Sequence, residues 1–189
     1  PILNYGAESW GLEENPKMNQ VHERAMRAYL GTPRKTPIPG LYSEIGWNKL
    51  GNMRKLQNIK FWLKLYNMEN DRLTKEIFIK DYRRTLLGKN GWNTKIKEIL
   101  EECGKVDHFY GVDTEQTKKI TKEIDKAIKI NESSEIKEEI NQMPKLRTYR
   151  TLKINEGTET YVKIIHNRKI RSLIVKIRLG ILPINIETG

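Results

Sequence analysis

Catalysis by a metal ion, a nucleophile or an acid–base pair needs particular side chains at particular spacings. This 189-residue sequence offers few of them. No two aspartates are adjacent, as a two-metal polymerase site would require. His22, His108 and His166 are widely separated and show no metal-ligand spacing. No serine lies in a nucleophile-elbow context, and Gly6 and Gly11 stand alone rather than in a phosphate-cradling loop. The acid pairs Glu101-Glu102 and Glu138-Glu139 fall in charged helical stretches and read as solvated faces. Cys103 is the single cysteine, so neither an internal disulfide nor a Cys-rich zinc site can form. The expectation is a chain with no catalytic residue, no metal ligand and no cofactor of its own.

What the sequence does carry is cations. Lysine and arginine number 35 against 24 acids, for a net charge of +11. A basic protein of this kind suits an acidic partner, and nucleic acid is the commonest. The excess is not evenly spread. Residues 17–64 hold ten bases against Glu23 and Glu44, and residues 145–178 hold ten against Glu156 and Glu159, so each block is +8. Residues 1–16 are −3, residues 65–144 are −1, and the tail adds only Glu187. Two basic blocks around a balanced middle suggest two faces of a groove, or one continuous face. The candidate phosphate contacts are Arg24, Arg27, Arg34, Lys35, Lys60 and Lys64 in the first block, and Arg168, Arg171, Lys176 and Arg178 in the second.

The elements that must position these residues are helical. Asn15-Pro16 reads as an N-cap followed by proline at the first helical position, and Gly31 followed by Pro33 closes the helix. Lys17, Arg24 and Arg27 share a face of it. Thr32 to Gly40, with three prolines and two bases, reads as an extended exposed loop: a phosphate contact or an ordinary connector. A short helical turn over Leu41–Gly46 follows, then a long helix from Lys49 to about Asn70. Its stripe is Leu56, Ile59, Leu63 and Tyr66, with Phe61 and Trp62 read as core and Lys60 and Lys64 on another face. A helix is expected over Asp71–Leu87, ended by Gly88 and Gly91. Asn93 caps a further one that buries Ile96, Ile99, Leu100 and an inert Cys103.

Asp113 and Gln116 have capping-box spacing before a thin stripe of Ile120, Ile124 and Ile128. Glu132–Met143 suggests another short helix, and Leu146–Tyr161 permits a turn or a short strand. Over His166–Leu179, Ile170, Leu173, Ile174 and Ile177 recur at i, i+3, i+4 and i+7. That stripe should pack, leaving Arg168, Arg171, Lys176 and Arg178 free on the other side. The fold class expected is mainly α, an irregular multi-helix assembly, with two small helical subdomains at 1–87 and 88–189.

The apolar runs are too short for a membrane span, no signal peptide is visible, and the chain opens on Pro1. These features suggest a piece of a longer intracellular protein, nuclear or cytoplasmic, with no membrane partner.

Five stretches together resemble one family. Pro1-Ile2-Leu3-Asn4-Tyr5-Gly6-Ala7-Glu8-Ser9-Trp10-Gly11 is similar to the LLYGSEIWG segment that follows the palm in reverse transcriptases of LINE-type, jockey-like retrotransposons. Val21-His22-Glu23-Arg24 and Tyr29-Leu30-Gly31-Thr32-Pro33 resemble the family's next helix and loop. Tyr42-Ser43-Glu44-Ile45-Gly46 resembles its YGELG turn, and Lys60-Phe61-Trp62-Leu63-Lys64-Leu65 its xFWxKL helix. Lys176-Ile177-Arg178-Leu179-Gly180-Ile181-Leu182-Pro183-Ile184-Asn185-Ile186-Glu187-Thr188-Gly189 resembles its RxGxLPIxIETGR stretch. Residues 105–160 resemble the family only loosely.

The resemblance implies a thumb-like region over 1–87 and a C-terminal connector over 88–189 of an RNA-directed DNA polymerase. The catalytic Asp pair would belong to a palm before Pro1, and a Cys/His cluster would follow Gly189. On this reading the chain is a non-catalytic fragment that grips template–primer RNA and DNA by the backbone, with the parent's palm as a further partner. Two other readings stay open on the residues alone. One is a free-standing basic helical nucleic-acid-binding module. The other is a structural or protein-interaction domain that meets an acidic protein.

Overall fold

The computed structural model describes residues 2–13 and 15–182. Among them the chain is mainly α-helical, with no strand. In order, the helices are α1 (Ala7–Trp10), α2 (Pro16–Leu30), α3 (Ile38–Ile45), α4 (Leu50–Tyr66), α5 (Leu73–Leu86) and α6 (Trp92–Glu102). Then come α7 (Asp107–Tyr110), α8 (Thr117–Gln142), α9 (Arg147–Leu152), α10 (Thr160–Ile164) and α11 (Arg168–Arg178). They form two interleaved units: Pro1–Glu14 with Leu50–Asn131, and Asn15–Lys49 with Glu132–Gly189. The boundary expected near residue 87 therefore falls inside the first unit, where α5 and α6 pack on each other.

The first unit is built on the α4 stripe. Ile59, Trp62, Leu63 and Leu65 pack with Phe78, Ile96, Ile99, Leu100 and Phe109, and with Ile120, Ile124 and Ile128 of α8. Trp62 is core, as its place in the pattern suggested, and its indole donates to Asn93 Oδ1 at 2.9 Å. Asn93 is not the N-cap of α6. That place is held by Gly91, one residue before Trp92. Asn93 instead donates from its backbone N and its Nδ2 to Asp81 Oδ2, both at 2.8 Å, so a carboxylate on α5 holds the start of α6. Lys75 is buried and donates to the carbonyls of Leu65 and Tyr66, closing the C-terminal end of α4. Burial pushes its ammonium pKa down. Cys103 is half-buried against this core, and burial raises its thiol pKa, consistent with an inert role.

The second unit buries Met26 and Leu30 of α2, Leu41, Tyr42 and Ile45 of α3, and Leu146, Tyr149, Val162, Val175 and Leu179. Asn15 caps α2, accepting from Met18 N, and Gly31 ends the helix in the left-handed region at φ 68°. The proline-rich loop is shorter than expected, because α3 begins at Ile38 and Pro39 and Gly40 are buried in it. Residues 132–142 belong to the single long helix α8 rather than to a separate short one. The 146–161 stretch forms α9 and a turn, not a strand.

A charge cluster ties this unit together. The Glu44 carboxylate is buried and accepts from Arg178 Nε at 2.9 Å and from the Tyr161 hydroxyl. Glu159 pairs with Arg178 at 3.2 Å and with Lys153 at 2.7 Å. The carbonyls at the end of α3 are met by the 153–159 segment: Lys153 Nζ donates to Ser43 O, Thr158 Oγ1 to Ile45 O, and Glu159 N to Glu44 O. Gly46, at φ 66°, allows this approach, since a Cβ there would lie 2.4 Å from Thr158 N.

Candidate nucleic-acid interface

Within the second unit, α11 crosses the C-terminal end of α2. A helix leaves its last carbonyls without partners, and α11 supplies donors for them. Arg171 Nε and Nη2 donate to Tyr29 O at 3.2 and 2.7 Å, and Ser172 Oγ donates to Gly31 O at 2.6 Å. Glycine at 31 is required on two counts, its left-handed backbone and its closeness to Ser172. An added Cβ would lie 2.7 Å from Ser172 Cβ.

This crossing leaves an open groove of about 930 Å³ beside it. One wall is Gly31, Thr32 and Pro33; the other carries Arg168, Lys169 and Lys176. None of these three cations makes an ion pair among the described residues. The loop beyond Pro33 is a fixed turn, since Thr36 N and Thr36 Oγ1 both donate to Pro33 O. Arg34 and Lys35 are exposed on that turn and likewise have no carboxylate partner among the described residues. Three cations in a groove and two more on its adjoining loop suit a polyanion, whose phosphates are spaced along a line.

The ten residues expected to bind from the sequence divide into three groups. Arg168 and Lys176 come together in the groove, with Arg34 and Lys35 on the loop that extends its wall. Lys169 belongs with them. The sequence signal for it was simply its place beside Arg168 in a helix without acids. Arg24 is exposed on α2, while Arg27, three residues on, is half-buried and pairs with Glu23 at 3.5 Å. Lys60 and Lys64 are exposed on α4, in the other unit. Lys64 also acts on Glu8, whose carboxyl is held below its ordinary range first by a hydrogen bond with Gln57, then by one with its own backbone, and also by that charge.

Arg171 and Arg178 are not free for phosphates. Arg171 is buried: besides Tyr29 O it donates to Ile165 O at 3.1 Å, and its guanidinium lies 4.3 Å from the Tyr29 ring centroid. Arg178 is held by Glu44 and Glu159. The reason is that the interior of this unit contains acceptors — helix-end carbonyls and a buried carboxylate — that aliphatic side chains cannot satisfy. The face of α11 that packs is therefore Arg171, Ser172, Val175 and Leu179, not the isoleucine stripe.

A second feature of α2 is an aromatic ladder. His22 stacks on Trp47 at 5.5 Å, Trp47 meets Tyr29 at 6.0 Å, and His22 Nδ1 lies 3.3 Å from the Tyr42 hydroxyl. Burial pushes the His22 pKa down.

Among the described residues, no group of three or more His, Cys, Asp or Glu is placed to hold a metal ion, and no helix is long and apolar enough to cross a membrane. Comparison with known proteins finds no family model that matches this chain, and no match among curated proteins or solved structures.

Proposed function

We propose that this chain holds nucleic acid by its backbone, as the thumb-and-connector part of a LINE-type retrotransposon reverse transcriptase. The observation that carries the binding role is the convergence of Arg168, Lys169 and Lys176 on one groove without carboxylate partners among the described residues. Charge arranged this way neutralises phosphates and does not read bases, which fits a part that must slide along template and primer of any sequence. The family assignment rests on the order of the five sequence motifs. Of these, the final stretch beyond Leu182 lies outside the described residues. Polymer chemistry would belong to the palm that the resemblance places before this region.

Filter binding of a labelled RNA–DNA hybrid tests the binding role. Affinity should be measurable at about 50 mM salt and fall by two or more orders of magnitude by about 200 mM, as counterion release requires for several phosphate contacts. No detectable binding at the lower salt, or affinity indifferent to salt, would sink the proposal. The flanking genomic sequence tests the family assignment separately: a paired-Asp palm upstream supports it, and an unrelated open reading frame overturns it.

A further inference from the structure

The packing of α11 leaves its apolar stripe outside. Ile170, Leu173 and Ile177 are 50, 50 and 56% exposed, and they recur at i, i+3 and i+7 on one side of the helix. A contiguous exposed apolar stripe, unlike apolar residues scattered singly, marks a candidate interaction site. The groove proposed for nucleic acid does not include these three residues.

Charge along the stripe is one-sided. Lys169 and Lys176, seven residues apart, line one edge, and neither has an ion-pair partner among the described residues. The opposite edge holds Arg171 and Arg178, both turned inward onto Tyr29, Ile165, Glu44 and Glu159. There is no acid anywhere in α11.

We infer that the exposed Ile170–Leu173–Ile177 stripe docks an amphipathic helix of a partner protein whose apolar ridge is flanked by acidic residues on the side facing Lys169 and Lys176. The spacing matches the anchors of a helix laid along a helix, and the one-sided cations complement a one-sided row of carboxylates. A second copy of α11 would bring no carboxylate to these lysines, since the helix contains none. A membrane-lying helix sets cations along both edges of its apolar face, and here one edge is already engaged. Nucleic acid offers no aliphatic ridge, and the stripe has no ring on which a base could stack.

The test uses the whole chain and three synthetic helical peptides of equal length. The first has Leu at i, i+3 and i+7 with Glu along one flank; the second has Lys in place of Glu; the third keeps the first composition in scrambled order. Titration calorimetry should give a micromolar Kd for the Glu peptide, at least about tenfold tighter than for either control. Leu173→Ser and Ile177→Ser, both at exposed positions and both uncharged, should each abolish that binding while leaving RNA–DNA hybrid affinity unchanged. This separates the inference from the nucleic-acid reading. It is overturned if the Glu peptide fails to bind, if the scrambled peptide binds equally, or if Leu173→Ser binds the peptide as well as the parent. It is also overturned if anionic phosphatidylserine vesicles bind through the stripe when the Glu peptide does not, or if the stripe variants alter only self-association.

Discussion

Arg168 and Arg171 stand three residues apart, just under one turn, on the same helix and have opposite tasks. Arg171→Ala should destabilise the second unit by about 3 kcal/mol, because it strands two part-buried backbone carbonyls and removes a stacked cation. Arg168→Ala should leave stability within about 0.5 kcal/mol and weaken nucleic-acid binding instead. Urea denaturation of the two variants distinguishes them, and equal stability losses would contradict the assignment. Glu44→Gln should cost about 2 kcal/mol, since it removes the nearer counter-charge of the Arg178 guanidinium while Glu159 remains. His22 adds a pH dependence. Burial holds its folded pKa below the unfolded value, so protons bind the unfolded chain more tightly. Stability contributed by neutral His22 is complete above the ordinary histidine pKa of about 6.5 and declines as pH falls below it. The urea midpoint of the parent chain should therefore drop between about pH 7.5 and pH 5.5 by more than that of His22→Gln. Equal drops would show that the ladder does not sense protons.

Elements with local signals were legible, and so were the packing faces of α4, α6 and α8, but not that of α11. The α2 helix could be bounded from residues alone, because Asn15, Pro16 and Gly31 act within a turn of where they stand. Gly31→Ala should accordingly lower stability by about 2 kcal/mol or more, from its left-handed φ and the crowding at Ser172, and a thermal melt checks it. The α11 boundaries were equally readable. Periodicity correctly gathered Ile170, Leu173, Ile174 and Ile177 on one side, but it carries no information about which side faces in. That choice was made by the carbonyls at the end of α2 and by Glu44, residues about 130 to 140 positions away. The same reasoning explains Asn93. Its residue type suits a cap, yet Asp81 and Trp62 had already claimed it.

At the scale of the molecule, the mainly α class followed from composition and stripe spacing, and the structure has it. The interleaved units did not follow, because they depend on pairing Asn15–Lys49 with residues beyond 131, which no local pattern encodes. The charge count located the second basic block but overstated what it offers. Arg171, Arg178 and Lys153 are all committed inside it, and Arg150 donates to the carbonyls of Ile140 and Met143. Of the six other bases in that block, Arg168, Lys169 and Lys176 meet in one groove, while Lys145, Arg147 and Lys163 are exposed outside it. The most direct measurement is the slope of log K against log salt for an RNA–DNA hybrid, with the parent chain and with the Arg168→Gln, Lys169→Gln, Lys176→Gln variant. Loss of three phosphate contacts predicts a slope shallower by about 2–3 units. An unchanged slope would contradict the claim that this groove grips the backbone.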